Sequence, residues 1–333
     1  MARFYDARGN IYAVIAPDAL RTLGVPLPLL PTEAAETRQA WAAQAVAAIC
    51  DWPAGQHPTG SKPHRSDGLL VGPFQDAAPF DLLIINTDGT LAERSGNGLT
   101  IFAQSLTDAG VITGTAPFTL RVHHDSADTP SPVATQAVPA TVEGVNGFWL
   151  DIGAPAFGPQ AVGAAGTGVG KAMLNEREVN RVERIAALHP AWQTSVFVRV
   201  GNPHCVTLVA DVDDLPSFDN LHQTELNAAL TRIAFVAGES GSGDPCPGGI
   251  NLQWAARLGP KRIEARVFER GEGPTASSGT SASAVASAAW FCGWVEAGLV
   301  EVVMPGGTAP LRLIERDGQL QQVQLFGTAR VKA

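Results

Sequence analysis

The sequence predicts an α/β protein of two related domains, each with many strands and a few helices. The chain has 333 residues, which is above the usual size of one domain. An apolar run, a polar turn, a serine–glycine pair and a small-residue helix occur in that order twice, 183 positions apart. Most other apolar runs are short and rich in β-branched residues, which is typical of strands.

The repeat is centred on Ser95 and Ser278. An apolar pair ends just before Asn86 in the first copy and just before Glu269 in the second, nine residues ahead of each serine. Serine at the start of a helix is a good N-cap, because its hydroxyl accepts a hydrogen bond from a free backbone N–H group. The two capped helices are predicted over Leu99–Ala109 and Ala282–Ala297.

A second pair of similar segments supports the repeat. R-G-N, ending at Asn10, precedes the apolar strand Ile11–Ile15. V-G-N, ending at Asn202, precedes the strand Cys205–Val209 after an inserted Pro-His. The two asparagines lie 192 positions apart, close to the offset of the serines. Two matches in the same order at similar offsets indicate that the two halves of the chain are related.

The remaining elements follow from periodicity and composition. Helices are predicted near Glu33–Ile49 and Thr224–Phe235. Trp52–Asp67 is rich in Pro, Gly and His and is predicted to be a long mobile loop, whereas Gly153–Gly170 is a candidate connection at the domain junction. The other predicted strands are Leu69–Val71, Leu82–Ile85, Phe118–Val122, Phe148–Ile152, Ser195–Val200, Ile263–Phe268, Leu311–Ile314 and Gln322–Phe326.

Composition excludes several classes of protein. The net charge of −9 and the pI of about 5.2 argue against nucleic-acid binding, which needs a clustered basic face. The first ten residues carry charges where a signal peptide needs apolar residues, and the apolar region Ala282–Val295 is too short to span a bilayer. The four cysteines show no C-x-x-C pair and no metal-ligand spacing. We therefore expect a cytoplasmic protein with reduced thiols, no metal and no membrane contact.

The paired serine caps suggest a carboxylate site. The first N–H groups of a helix have no partner within the helix, and the helix dipole favours an anion there. Two such ends facing one carboxylate would place its α-carbon between the two caps. If the caps could move protons, one face of that carbon would lose a proton and the other would gain one. A single S-G-x-G turn is more often only a cap, but a matched pair in related halves favours a site.

Several motifs together resemble the diaminopimelate epimerase family, in order and through nearly the whole chain. They are N-T-D-G-T from Asn86, S-G-N-G from Ser95, G-N-P-H-C from Gly201, Asn251, E-R-G-E-G from Glu269, S-G-T from Ser278 and M-P-G-G from Met304. The G-N-P-H and E-R-G-x-G blocks are specific together, although either alone would be weak.

The resemblance implies a fold and an activity. It implies two similar α/β domains, each a curved mixed sheet wrapped around a central helix, with the active-site cleft between them. The corresponding domains would be residues 1–150 with 318–333, and residues 151–317. It implies a cofactor-independent homodimer that inverts one α-carbon of LL-diaminopimelate to the meso form in lysine biosynthesis. Its only ligand would be a small amino-acid substrate.

The resemblance also assigns site residues. Ser95 and Ser278 would flank the reacting carbon, and His204 and Glu269 match residues thought to tune the catalytic pair. Arginine can bind a carboxylate through two hydrogen bonds, which suits the distal amino-acid end. That end would be held by Asn86, Asn202, Asn251 and Arg270, the reacting carboxylate would lie on Gly96, Asn97, Gly279 and Thr280, and Asn10 would also contact substrate.

The sequence departs from the family at the chemistry. The family has a cysteine at each cap, one thiolate base and one thiol acid, where this chain has Ser95 and Ser278. The family's glutamine corresponds to Gly68, and its A-R-C after the first cap is replaced by L-T-I. A free thiol has a pKa of about 8.5, whereas an alcohol is a far weaker acid that needs a partner base.

Four explanations stay open. The chain is an isomerase in which His204 or Glu269 supplies the base, through or beside a serine. It is a relative with altered chemistry, such as a hydroxyproline epimerase or dehydratase or an allylic isomerase. It is a binding protein that keeps the amino-acid pocket and has lost catalysis. Finally, the serines could be an engineered replacement, although departures such as Leu99-Thr100 favour a natural variant.

Overall fold

The computed structural model describes residues 2–127, 130–165, 168–238 and 240–332. The chain forms two compact units, Met1–Leu150 with Gly327–Ala333, and Asp151–Phe326. We call them the first and the second unit. Among the described residues, no helix is long and apolar enough to cross a bilayer.

In the first unit, the strand pairings run antiparallel, parallel, antiparallel, parallel, antiparallel and antiparallel from β1 to β7. Its strands are β1 (Arg3–Ala7), β2 (Asn10–Ile15), β3 (Gly68–Val71), β4 (Phe80–Asn86), β5 (Phe118–His123), β6 (Val133–Val142), β7 (Val145–Gly153) and, near the end of the chain, β19 (Arg330–Val331). Its helices are α1 (Pro17–Thr22), α2 (Pro31–Glu36), α3 (Ala42–Ile49) and α4 (Gly96–Asp108), with a 3₁₀ turn at Arg38–Ala40.

The second unit has the same order of pairing directions. Its strands are β8 (Ala156–Phe157), β9 (Val169–Leu174), β10 (Arg177–Val182), β11 (Ser195–Val200), β12 (Asn202–Val209), β13 (Asn251–Gly259), β14 (Arg262–Glu269), β15 (Gly273–Thr275), β16 (Gly298–Met304), β17 (Gly307–Arg316) and β18 (Gln319–Gly327). Its helices are α5 (Pro159–Val162), α6 (Glu183–Ala186), α7 (Phe218–His222), α8 (Thr224–Ala234) and α9 (Gly279–Phe291), with a 3₁₀ turn at Val212–Asp214. The strands β11, β12, β13, β14, β16, β17 and β18 repeat the pattern of β1 to β7.

This shared pattern confirms the predicted α/β fold of two related halves. In both units the crossover between the fourth and fifth strands of the series contains a helix of 13 residues, α4 or α9. The predicted division placed residues 318–333 with the first half, whereas the structure returns to the first unit at Gly327. The difference arises because β18 pairs antiparallel with β17 of the second unit.

Each unit contains a largely buried helix. α4 buries most of its residues, including Leu99, Phe102 and Leu106. α9 contacts strands β11, β12, β13, β14, β16 and β17, and every residue from Ser281 to Ala289 is buried. Only small side chains fit on all sides of a helix enclosed in this way. Two of its buried hydroxyls are satisfied within the helix, since Ser283 and Ser287 each donate to the carbonyl four residues earlier.

Two predicted helices have different bounds in the structure. The predicted helix Glu33–Ile49 is divided into α2, the 3₁₀ turn and α3, because Trp41 has a φ of −139° and buries its ring. Its indole donates to the Ala34 carbonyl at 2.9 Å. The predicted helix Ala282–Ala297 begins earlier and ends at Phe291, because Gly293 has a φ of +71°. The Trp294 N–H group then bonds the Ala289 carbonyl, which completes a Schellman motif.

The predicted irregular segments contain some regular structure. Residues 52–67 form neither helix nor strand, apart from a bridge between Asp51 and His64 at the segment's edge. The predicted connection Gly153–Gly170 contains β8 and α5, and its residues 166–167 lie outside the described part of the chain. The hairpin β9–β10 was not predicted. Its turn residues Asn175 and Glu176 both have positive φ angles, which is unusual without glycine.

Enlarging a side chain on α9 should destabilise the second unit. For Ala286→Leu we expect a loss of about 1–3 kcal/mol in the free energy of unfolding, because Ala286 is fully buried on a helix enclosed by strands. Thr107→Leu, at an exposed position of α4, is the matched control and should change stability by about 0.5 kcal/mol or less. Urea denaturation would measure both. Equal midpoints for the two variants would contradict the enclosed position of α9.

Candidate active site

Ser278 caps α9 and donates a hydrogen bond to the side-chain carboxylate of Glu269. Its backbone is extended, with φ −151° and ψ 128°, so the side chain turns back over the first turn of the helix. Its Oγ accepts from the Ser281 N–H group at 3.3 Å and donates to Oε1 of Glu269 at 2.7 Å. A capping serine that also donates to a carboxylate has its proton directed at a base.

Glu269 lies at the end of β14, in the turn that leads towards this cap. Burial raises the pKa of Glu269 above its ordinary value, and the neighbouring charge of Glu272 raises it further, while the hydrogen bond from Ser278 opposes both. A carboxylate with a raised pKa is a stronger base than one in water. The pair Ser278–Glu269 can therefore accept a proton on the serine and pass its own to the carboxylate.

His204 is linked to the first turn of α9 by two successive hydrogen bonds. It is fully buried on β12, and its Nδ1 lies 3.1 Å from Nε2 of Gln253, which also donates to Ser281 Oγ at 3.0 Å. Because an amide N–H group can only donate, Nδ1 is the acceptor and His204 is neutral. Burial lowers the pKa of His204 to about 3. Of the two bases that the sequence left open, Glu269 accepts directly from Ser278, whereas His204 is linked to the first turn of α9 through Gln253 and Ser281.

The predicted substrate-binding residues of the second unit divide into two groups. Asn251 is buried and uses its amide within the protein, since Nδ2 donates to the Pro203 carbonyl at 3.3 Å and Oδ1 accepts from the Arg270 N–H group at 2.9 Å. It thus ties the G-N-P-H turn to the E-R-G-E-G turn. Arg270 and Asn202 are exposed, although one guanidinium nitrogen of Arg270 donates to the Gly248 carbonyl at 2.8 Å.

Gly279 and Thr280 form the first turn of α9. Their N–H groups have no partner within the helix, because no helical carbonyl precedes them. A Cβ at Gly279 would lie 2.5 Å from Cδ2 of Leu325, so glycine lets this turn pack closely against β18. The Thr280 hydroxyl lies 3.5 Å from Ser278 Oγ.

Ser95 caps α4 with nearly the same geometry. Its φ of −144° and ψ of 119° match those of Ser278, and its Oγ accepts from the Gly98 N–H group at 3.0 Å. Gly96 and Asn97 follow as the first helical residues and are partly exposed. The group beside this serine is a phenol, since the Tyr12 hydroxyl lies 3.4 Å from Ser95 Oγ.

Asn86 and Asn10 lie in turns that are held by their own polar groups. Asn86 ends β4, and its Nδ2 donates to the Thr90 hydroxyl at 2.9 Å, which in turn donates to Asp88 at 2.6 Å. The hydrogen bonds from Thr90 lower the pKa of Asp88. Asn10 begins β2, and its Nδ2 donates to Asp67 at 3.3 Å. Both asparagines remain partly exposed.

Sequence reasoning missed Tyr12 and Gln253. Tyr12 follows Asn10 by two positions, as His204 follows Asn202, so the repeat itself could have identified it. Gln253 is a fully buried amide on β13, and nothing in the one-dimensional pattern shows that it reaches both His204 and Ser281. The amide is visible in the sequence, but its two partners come from other elements.

The cysteines are not candidates for proton transfer. All four are buried and free, and burial raises the pKa of Cys205 to about 12, of Cys246 to about 11 and of Cys292 to about 12. Burial likewise raises the pKa of Cys50. A thiol with such a pKa stays protonated at neutral pH and is a poor nucleophile or base.

The chain is similar to known epimerases and shares its fold with further enzymes. The sequence profile described as diaminopimelate epimerase matches residues 196–331. The protein named diaminopimelate epimerase 2 from a Nostoc species is 29% identical over 91% of this chain and 85% of its own length. A phenazine biosynthesis protein of the PhzF family from Bacillus anthracis, 12% identical, superposes with a TM-score of 0.61 over 100% of this chain and 96% of its own.

Two further relatives complete the comparison. A probable proline racemase from Agrobacterium radiobacter superposes with a TM-score of 0.55 at 13% identity, over 100% of this chain and 91% of its own, which shows the fold alone. The diaminopimelate epimerase of Streptomyces coelicolor is 30% identical over 73% of this chain and 68% of its own length. With this likeness, and with the family profile on the half that carries Glu269 and Ser278, the chain belongs to the diaminopimelate epimerase family and is an epimerase-like isomerase.

Proposed function

We propose that this chain is a cofactor-independent amino-acid epimerase that converts LL-diaminopimelate to the meso form. The observation that carries the proposal is the 2.7 Å hydrogen bond from Ser278 to Glu269 at the N-terminus of a buried helix. It joins a proton-transfer pair to backbone N–H groups that can bind a carboxylate. We further propose that it acts in the cytoplasm as a homodimer, with no metal and the amino acid as its only ligand.

The reacting carboxylate would bind to the first turns of the two capped helices. Gly96 and Asn97 in the first unit, and Gly279 and Thr280 in the second, have N–H groups without helical partners. Bound to such groups, the carboxylate can take up the negative charge that develops when the α-proton leaves. Stabilising that charge is the main electrostatic task in removing a weakly acidic proton.

The distal amino-acid end would be recognised by the partly exposed polar groups. In this proposal Arg270 binds the distal carboxylate, while Asn86, Asn202 and Asn10 bind the polar atoms around it. Asn251 has a different role from the one the resemblance implies. Because both ends of its amide bond to backbone groups, it fixes the position of Arg270 instead of binding substrate.

The serines replace the two cysteines that the resemblance implies, and Glu269 makes this replacement workable. An alcohol cannot become an alkoxide near neutral pH without a base beside it. Ser278 has such a base at hydrogen-bond distance, so its proton can move to Glu269 as its oxygen accepts the α-proton. The carboxylate thereby takes over the acid–base function that a thiolate performs alone.

Exchange of the α-proton tests the proposed function. Wild-type protein in D2O should incorporate deuterium at the α-carbon of LL-diaminopimelate and form the meso product, both measurable by NMR. Ser95→Cys/Ser278→Cys is the reference variant, since it restores a thiol at each cap. Exchange by the cysteine pair alone would contradict the proposed chemistry and indicate an amino-acid-binding protein. If neither protein exchanges the α-proton, the assignment of LL-diaminopimelate as the substrate would be wrong.

Replacing Ser278 should separate capping from proton transfer. Ser278→Asn keeps a side-chain oxygen that caps a helix as well as serine does, so stability should change little. Ser278→Ala removes the cap and should cost about 1 kcal/mol of stability. Both variants lack the hydroxyl and should lose exchange from the epimer whose α-proton Ser278 removes by about 100-fold or more. Wild-type exchange in Ser278→Asn, measured beside urea denaturation, would show that the serine is only a cap.

The pH dependence of kcat/KM should reflect the ionisation of Glu269. The proposed base must be ionised, so kcat/KM should be high above the raised pKa of Glu269 and should fall as the pH drops through that pKa, which burial places above the ordinary range of a glutamate carboxyl. Glu272→Gln removes a negative charge that raises this pKa, so the acid limb should move to lower pH. Glu269→Gln should abolish exchange from the epimer whose α-proton Ser278 removes. An acid limb that does not move in Glu272→Gln would contradict the assignment.

A further inference from the structure

The cap of the first unit has a phenol beside it that the proposed function does not yet use. The Tyr12 hydroxyl lies 3.4 Å from Ser95 Oγ, and either atom can be the donor. Ser95 Oγ also accepts from the Gly98 N–H group, which leaves the serine proton available to another acceptor. Tyr12 itself is buried, with 7% of its surface exposed.

Tyr12 occupies the position in the first unit that His204 occupies in the second. The two residues lie 192 positions apart, the same offset as Asn10 and Asn202. Tyr12 pairs in register with Gly68 on the parallel strand β3, and His204 pairs with Asn251 on the parallel strand β13. The two caps are therefore built on one backbone plan with different titratable groups.

Gly68 leaves the space that the Tyr12 ring needs to lie beside Ser95. A Cβ at Gly68 would lie 2.6 Å from Cε1 of Tyr12 and 2.7 Å from the Ile85 carbonyl oxygen, so no other residue fits beside this ring. In the second unit, the buried Gln253 and Ser281 lie between His204 and the cap. The matching positions in the first unit are Leu70 and Gly98, so no polar side chains intervene.

The unlike partners of the two serines suggest a division of labour. Ser278 donates to a carboxylate, which can only accept its proton. Ser95 lies beside a phenol, whose ordinary pKa of about 10 makes it a far better proton donor than an alcohol. One cap is suited to removing a proton, and the other is suited to returning one.

We propose that Tyr12 is the proton-relay partner of Ser95 and serves the half of the reaction opposite to that of Glu269. This inference rests on the proposed function. As the C–H bond breaks, Ser278 Oγ accepts the proton and passes its own to Glu269, and the electron pair stays on the substrate. Ser95 then donates its proton to the other face, and Tyr12 donates to Ser95 and becomes a phenolate. Water afterwards takes the proton from Glu269 and protonates Tyr12, and the reverse reaction uses the same groups in the opposite order.

Tyr12→Phe is a sharp test, because it keeps the ring over Gly68 and removes only the hydroxyl. The protein has two tyrosines, and Tyr5 is the register partner of Tyr12 on β1. Tyr5→Phe is therefore the matched control, removing a buried phenol hydroxyl from the adjacent strand. Each protein would be given LL- and meso-diaminopimelate separately in D2O, and exchange, inversion, kcat and KM would be measured.

We expect Tyr12→Phe to lose inversion by about 100-fold or more through kcat, with little change in KM. Exchange should continue from one epimer and stop from the other, because Glu269 still removes protons on its own side. Glu269→Gln should show the opposite preference between the epimers, and Tyr5→Phe should match wild type. A purely structural role for Tyr12 would lower exchange from both epimers equally.

The outcomes separate this inference from the function on which it rests. Wild-type inversion and exchange in Tyr12→Phe, or an equal loss from both epimers, would overturn the role of Tyr12 and leave the epimerase proposal standing. A wild-type protein that exchanges no α-proton would overturn the proposed function, and the relay with it.

Discussion

The enclosure of one helix by the strands of its own unit is the constraint on which the rest of the structure depends. Along α9 every residue from Ser281 to Ala289 is buried, so this stretch consists of small side chains, and the hydroxyls of Ser283 and Ser287 bond back to the helix. The N-terminal turn is where unpaired backbone N–H groups and partly exposed residues coincide. A ligand anion is therefore expected at the cap, and the residues before the cap decide what happens to it.

Those residues differ between two units that share one plan. Nine positions before the cap, the first unit has the amide of Asn86 and the second has the carboxylate of Glu269. Two positions after the paired asparagines, the first has a phenol and the second a neutral imidazole. Backbone geometry at the caps is nearly unchanged, as the similar φ and ψ angles of Ser95 and Ser278 show. The repeated strand pairing gives the two caps the same place in their units, so the difference in chemistry between the caps comes from their side chains.

Much of this could be predicted from the sequence, because local patterns determine it. The serine caps, the two central helices and most strands follow from hydrophobic runs and capping residues. The end of α9 could also have been predicted from Gly293, because glycine commonly ends a helix. The apolar residues that follow Gly293 led instead to a longer predicted helix. The break in the helix at Trp41 could not be predicted from the sequence, because it depends on a buried indole that donates to the Ala34 carbonyl. The site shows the same limit: Glu269 and Ser278 were identified as candidates, whereas the link from His204 to α9 through Gln253 and Ser281 depends on the positions of side chains in space.

The unlike partners of the two serines have a consequence for turnover. In the proposed reaction the free protein exists in two protonation forms, each able to process one epimer. After each inversion it is left in the form suited to its product, and it must trade protons with water before accepting the same epimer again. The equilibrium ratio of the epimers is independent of the protein, so this reset cannot favour either one. It can, however, limit the rate when substrate is abundant, and the rate would then reflect the return of protons to a phenol and from a carboxylate instead of the breaking of a C–H bond.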